Sequence, residues 1–162
     1  MIELLEHPDP FARTAFDPGH FTASAFVLAP ERDAVLLIFH KKLRLWLQPG
    51  GHIEPEDATI EDAARREVAE EVGLRNLSPL SSGLFDVDIH AIPARADEPE
   101  HEHFDLRVLL LSSARELEAG DEVEGARWVP FDDVASITGD ESVQRAVRKI
   151  RAVLGERASA SG

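Results

Sequence analysis

The chain has 162 residues, 43% hydrophobic and 30% charged, the size and make-up of one globular domain with a real core. Its formal net charge of -14 repels phosphate backbones, so no nucleic-acid partner is expected; the acidity serves solubility, or a small phosphorylated substrate whose carboxylate-lined site a divalent cation neutralises. Absence of cysteine excludes disulfides and thiolate metal ligands, and no apolar run approaches the roughly 20 residues of a membrane span.

The opening Met1-Ile2-Glu3-Leu4-Leu5-Glu6 lacks the basic start and apolar core of a signal peptide, so a cytoplasmic setting without a membrane partner is the expectation. Residues 1 to 20 carry Pro8, Pro10, Phe11, Phe16 and Pro18, which predicts a packed arm after a short helical turn. Phe21 to Ala29 and Ala34 to His40 read as strands across the break Pro30-Glu31-Arg32-Asp33, and Leu43 to Gln48 as a third strand ending at Pro49-Gly50-Gly51.

A helix follows, with Thr59 as N-cap, Asp62 as its acidic partner three residues on, and Gly73 as the left-handed stop. Leu84 to Ile92, Phe104 to Ser112 and Ala126 to Val129 read as further strands. Glu141 to Leu154 is a second amphipathic helix with Val143, Val147, Ile150 and Leu154 on one side. One domain over residues 1–157 is expected, with a frayed tail over 158–162. Strands interrupted by two helices indicate a mixed α/β sandwich.

The informative stretch runs from Gly50-Gly51-His52-Ile53-Glu54 to Arg66-Glu67-Val68-Ala69-Glu70-Glu71-Val72-Gly73-Leu74. At about 100° per helical residue, Glu67, Glu70 and Glu71 fall within one arc of about 100° that Ile60 and Ala64 partly share. Carboxylates at i, i+3 and i+4 beside a buried face repel one another, and a hard divalent cation with oxygen ligands relieves that strain.

This stretch resembles the Nudix box, GX5EX7REUXEEXGU with U aliphatic. Arg66-Glu67-Val68, Glu70-Glu71, Gly73 and Leu74 match its second half position by position, and Gly51 matches the leading glycine. One departure stands out. The first glutamate of the pattern should lie eight residues before the arginine, where this chain has Ala58, so the loop carries one extra residue with Asp57 or Glu56 as substitute.

The resemblance implies an α/β/α sandwich with a mixed sheet between helices, and Mg²⁺ (or Mn²⁺) held by Glu67, Glu70 and Glu71 with the Gly50 carbonyl as a further ligand. It gives Arg66 the task of orienting a glutamate by charge-assisted hydrogen bonds. The base is Glu70, Glu71 or a glutamate of a later loop, Glu122 or Glu124, for which a plain acidic turn is the alternative. The implied activity is hydrolysis of the pyrophosphate bond of a nucleoside diphosphate linked to another group, with a small nucleotide-type substrate as partner and a homodimer as a candidate assembly. Two rival readings are a Nudix domain that binds such a ligand as a regulator without turnover, and an isoprenoid-diphosphate isomerase, a chemistry that commonly uses a cysteine this chain lacks.

Outside the box, Asp86, Asp88 and His90 alternate on one strand and His101, His103, Asp105 and Arg107 on another, so their pairing would make a polar platform. His90, His101 and His103 suit zinc, a substrate-facing role for His90 and His103, or ordinary polarity. The segment Ile92-Pro93-Ala94-Arg95 to Glu98-Pro99-Glu100-His101 is long enough for a binding loop. Lys41, Lys42 and Arg44 form the basic cluster near the box, meeting substrate phosphates or lying on a solvated turn, and Gln48 shares a strand face with Trp46. Trp46 stacks on a base or sits at a core edge, and Trp128 and Phe131 belong to the core.

Overall fold

The computed structural model describes the backbone of residues 2–160 and the side chains of residues 2–155. In chain order the elements are α1 (Ile2–Leu5), β1 (Gly19–Leu28), β2 (Ala34–His40), β3 (Leu45–Leu47), β4 (Gly50–His52), α2 (Ile60–Val72), β5 (Leu77–Pro79), β6 (Asp86–Ile92), β7 (His101–Ser112), β8 (Val123–Pro130), a 3-10 turn (Phe131–Asp133), α3 (Val134–Ile137) and α4 (Glu141–Ala160).

β1 is the spine of the sheet, buried along its whole length. It runs parallel to β7, in register from Gly19 opposite Glu102 to Leu28 opposite Leu111, and antiparallel to β2 and β4. β2 also holds β3 and β8, and β7 holds β5 and β6, all antiparallel. The sheet is therefore mixed.

Alternation along β1 decides which helix covers which face. Ala23, Ala25 and Val27 point towards Ala63, Ala64, Val68 and Val72 of α2, where small residues let helix and sheet approach closely. Phe26 and Leu28 point the other way, towards Val143, Ala146, Val147 and Ile150 of α4. Each fully buried valine, leucine, isoleucine or phenylalanine side chain here is worth about 1.5–3 kcal/mol of transfer free energy. The expected sandwich, a mixed sheet between helices, is the architecture found. The N-terminal arm closes one end, with Leu4 fully buried against Phe21, Phe104 and Leu106, and Phe11 packing on Phe21 at 5.4 Å between ring centres.

Several boundaries shift for tertiary reasons. β7 begins at His101 rather than Phe104, because both neighbours continue to pair with it: His103 lies opposite His20 of β1 and His90 of β6. The expected Leu43–Gln48 strand shrinks to Leu45–Leu47, since Arg44 turns the chain with φ 56 and its N–H returns to the His40 carbonyl at 2.9 Å. β6 starts at Asp86, two residues later than read, and β8 at Val123, three earlier. β4, β5 and α3 were not foreseen; each has three or four residues and takes its conformation from its neighbours. α4 continues as helix through Ala158, Ser159 and Ala160, where fraying was expected, while Ser161 and Gly162 lie outside the described residues.

Candidate active site

α2 begins and ends as its sequence prescribes. Thr59 Oγ1 accepts the Asp62 N–H at 3.0 Å, and Gly73 closes the helix at φ 75, a left-handed conformation that favours glycine. Between these caps the helix presents Glu67, Glu70 and Glu71 to the loop that leaves β4.

The three carboxylates differ sharply in surroundings. Glu71 is 6% exposed and accepts the Gly50 N–H at 3.1 Å. Burial first, and then repulsion from Glu67, pushes its pKa up to about 8, against the Gly50 N–H, which lowers it. Glu67 is also raised, chiefly by burial, and is held back by Arg66. Glu70 is open to solvent, its side chain 60% exposed.

Glycine at positions 50 and 51 is a requirement of close approach. A Cβ on Gly51 would lie 2.6–2.9 Å from the carboxylate of Glu67, and one on Gly50 would lie 2.3 Å from the Ser24 Cβ.

Arg66 organises the cluster. Its Nε and Nη2 donate to the two oxygens of Asp57 at 3.1 and 2.9 Å, Nη2 also to the His52 carbonyl at 2.9 Å. Nη1 donates to Glu67 at 2.9 Å and Glu70 at 3.4 Å. Asp57 also accepts the Glu54 N–H at 2.8 Å, and the guanidinium holds its carboxyl below the usual range. The extra loop residue thus leaves a carboxylate at the place where it fixes the arginine, and that carboxylate is Asp57. Ala58 and Glu56 are exposed.

The loop before β8 rests on the end of α2, with the Glu118 N–H on the Val72 carbonyl and the Gly120 N–H on the Glu71 carbonyl, at 2.9 and 2.8 Å. Glu122, exposed, follows close enough for its charge to raise both Glu67 and Glu71. Glu124 is instead ion-paired with Arg44.

The other face of the sheet carries the platform. Pairing of β6 with β7 sets Asp86, Asp88 and His90 opposite Arg107, Asp105 and His103. Arg107, its side chain 1% exposed, donates to Asp105 at 2.8 Å, Asp86 at 3.3 Å, Asp88 at 3.4 Å and Ser142 at 3.0 Å, locking this end beneath α4. Asp105 also accepts from Ser24 at 2.7 Å and Thr22 at 3.2 Å, and Gln48 Nε2 donates to it at 3.3 Å.

The residues read as substrate-binding fall into two groups. Gln48, His90 and His103 share the platform, although His90 is exposed at its rim and bonds Asp88 at 3.3 Å. Lys42 and Arg44 sit on the exposed turn between β2 and β3, with Arg44 over the Phe39 ring at 4.8 Å. Trp46 occupies the sheet edge, half-buried, with Arg127 over its ring at 4.2 Å. His20 and His52 join the histidines of the platform unforeseen. The available signal was the polar alternation His20, Thr22, Ser24 inside an otherwise apolar strand. Between arm and box loop opens a cleft of about 650 Å³ lined by Phe11, Arg13, Ile53, Glu54, Asp57 and Ile60.

Comparison with known proteins matches the NUDIX domain model to residues 18–150. A curated relative from Lactococcus lactis subsp. cremoris, "Probable DHNTP pyrophosphohydrolase", is 32% identical over 121 residues, covering 73% of this chain and 70% of its own. Among solved structures, a NUDIX-family hydrolase from Clostridium perfringens superposes with a TM-score of 0.66 at 24% identity, covering 83% of this chain and 97% of its own. The NUDIX domain of Shewanella oneidensis NrtR, in complex with ADP ribose, does so with a TM-score of 0.63 at 21% identity, covering 94% and 97%. These last two likenesses concern the fold, whereas the family model spans the box and most of the chain. The chain belongs to the Nudix family.

Proposed function

We propose that this Nudix protein is a metal-dependent pyrophosphohydrolase acting on a nucleoside diphosphate linked to another group, with Glu67, Glu71 and the Gly50 carbonyl holding Mg²⁺ or Mn²⁺ beside Glu70. The observation that carries this reading is the buried Glu71 beside the half-buried Glu67, both pressed against a glycine loop, with no cation bonded to Glu71 among the described residues. An unpaired buried carboxylate is costly, and its protonation near neutral pH is how the fold tolerates it. A hard dication with oxygen ligands fits that donor set and the room left by the absent Cβ atoms.

Bound there, such a cation supplies charge stabilisation to the phosphate and leaving oxygens. The chain's own residues do the rest. Arg66, fixed by Asp57, holds Glu67 and Glu70 in place. Glu70, the exposed carboxylate of the set, takes the proton of the attacking water as general base. Glu122, whose charge acts on Glu67 and Glu71, would add a further ligand. Lys42 and Arg44 meet the outer phosphate charge, while Gln48 and the His90 rim line the platform for the rest of the substrate. The cleft of about 650 Å³ has room for a nucleoside-sized group.

The similarity to a DHNTP pyrophosphohydrolase supports the reaction class; the identity of the linked group rests on loops and platform outside the box. The test is phosphate release, coupled to a phosphatase, from a panel of nucleoside diphosphate derivatives and nucleoside triphosphates with Mg²⁺ or Mn²⁺. Turnover of one compound well above the others is expected. A flat panel in which the same compounds raise the melting temperature would replace the hydrolase by a ligand-binding regulator.

A further inference from the structure

Beneath the N-terminal arm, on the sheet face opposite α2, four histidines are clustered, His20, His52, His101 and His103. The parallel pairing of β1 with β7 sets His20 opposite His103, and His101 lies two residues before His103 on the same face. The ring centres of His20 are 5.2 Å from His101 and 4.7 Å from His103; His101 and His103 are 5.1 Å apart. One ring nitrogen from each lies within 4.8 Å of those of the other two. Among the described residues no other set of three histidine or carboxylate groups is gathered so tightly, and at the box Arg66 bonds Glu67 and Glu70.

The hydrogen bonds fix which nitrogens face inward. His20 Nδ1 lies 3.0 Å from the Ala15 carbonyl and His101 Nδ1 2.8 Å from the Pro99 carbonyl. A carbonyl only accepts, so both Nδ1 atoms carry the proton and both Nε2 atoms keep a lone pair. His101 Nε2 faces His103 Nε2 at 3.3 Å. His20 is fully buried, and its Nε2 has no hydrogen-bond partner.

A plain stack of neutral rings accounts for the contact between His101 and His103 as one N–H···N bond. It leaves the lone pair of His20 buried and unsatisfied, which is unfavourable. We propose that His20, His101 and His103 form a second metal site, separate from the box glutamates, that binds a transition-metal dication of the zinc type through their Nε2 atoms. In a tetrahedral zinc site with Zn–N of about 2.0–2.1 Å, neighbouring ligand nitrogens lie about 3.3–3.4 Å apart, the separation already present between His101 and His103.

The surroundings suit this use. Burial lowers both His20 and His103, which favours the neutral imidazole at these two positions. The Nδ1–H bonds to backbone carbonyls are the outer contacts that orient ligating imidazoles in metal sites. Imidazole nitrogens select zinc-like ions, whereas the oxygen-only box selects magnesium, so the two sites do not compete for one ion. His52, its ring stacked on His20 at 5.1 Å and edge-on to His103 at 5.5 Å, borders the fourth position, which is left to an exogenous ligand. Because His20 bonds the arm through Ala15 and His101 packs on Phe16 at 5.0 Å, an ion here ties the arm to the sheet.

The experiment uses the tag-free full chain, stripped with chelator and returned to saturating Mg²⁺, and titrates Co²⁺ as an optical probe. One equivalent is expected to bind with the strong visible bands of a low-coordinate nitrogen site, to be displaced by Zn²⁺, and to raise the melting temperature. The bands should persist in Glu71→Gln and weaken more than about 100-fold in affinity in half-buried His103→Gln, with circular dichroism as the folding control. Should the histidine variants fail to fold, X-ray absorption at the zinc edge of the wild-type protein reads the ligand shell directly. A shell of three imidazoles supports the site. An oxygen-only shell, unchanged bands in His103→Gln, or loss of the bands in Glu71→Gln overturns it. The outcome is independent of the hydrolase reading, since it is read without turnover.

Discussion

Binding of Mg²⁺ at the box should release close to one proton at neutral pH. Glu71 is pushed up to about 8 by burial and by Glu67, from an ordinary value of 4.5. At pH 7 a group of that pKa is about 90% protonated, and an oxygen-ligating cation requires the carboxylate, so about 0.9 proton leaves per cation bound. At pH 9 the protonated fraction falls to about 10%, and the release with it. The apparent affinity therefore climbs nearly tenfold per pH unit around pH 6–7 and flattens above 8. The cation-free protein shows the converse. A carboxyl raised in the fold contributes stability that is fully present below 4.5 and is lost as pH rises through about 8, so its melting temperature should fall over that window and Mg²⁺ should restore it. Isothermal titration calorimetry in two buffers of different ionisation enthalpy measures the proton count. Release near zero at pH 7, or release that does not decline towards pH 9, would refute the assignment of Glu71 as a buried, protonated ligand awaiting the cation.

Glu70→Gln removes an exposed carboxylate that bonds Arg66 at a long 3.4 Å, so kcat should drop about 10²–10⁴-fold at unchanged melting temperature; near-normal turnover would remove Glu70 from its proposed role as base. Gly51→Ala and Gly50→Ala should separate metal binding from folding. The new Cβ at 51 meets only the movable end of Glu67 at 2.6 Å and should weaken Mg²⁺ affinity in a folded protein, whereas at 50 it meets the Ser24 Cα at 2.7 Å and should lower the melting temperature outright. Arg107→Met leaves Asp105 buried beneath α4 with only the neutral donors Thr22, Ser24 and Gln48, while Asp86 keeps Arg145 and Lys149, and should cost about 3–5 kcal/mol, a fall of roughly 6–20 °C by thermal denaturation. An unchanged transition would mean that the buried network adds nothing to the fold.

The box was legible because its chemistry is local. Cap, carboxylates, arginine and stop lie on one continuous segment, and 3.6-residue periodicity alone sets their relative directions. The alternating polar residues of β6 and β7 were legible as a platform for the same reason, and their pairing sets Asp88 opposite Asp105. What the sequence hid was non-local. β4 is Gly-Gly-His, which has no strand propensity of its own and exists because β1 offers Thr22, Ala23 and Ser24 as partners. The histidine cluster was read as His90, His101 and His103, from spacing along neighbouring segments; the parallel pairing of β1 with β7 puts His20 in the tight group, and His90 stays at the exposed rim. The departure at Ala58 left Asp57 and Glu56 as substitutes, and the loop brings Asp57 onto Arg66 with two hydrogen bonds, a choice between the two that needs the path of the chain, not its spacing.

The most direct test of a metal-dependent hydrolase is to take the best substrate of the panel and follow its turnover through removal and return of the ion. Turnover should vanish when EDTA strips the protein and return with Mg²⁺ or Mn²⁺ but not with Zn²⁺ alone, because oxygen-only ligands built around Glu67 and Glu71 suit hard ions. Full activity in the presence of chelator would contradict the account at its centre.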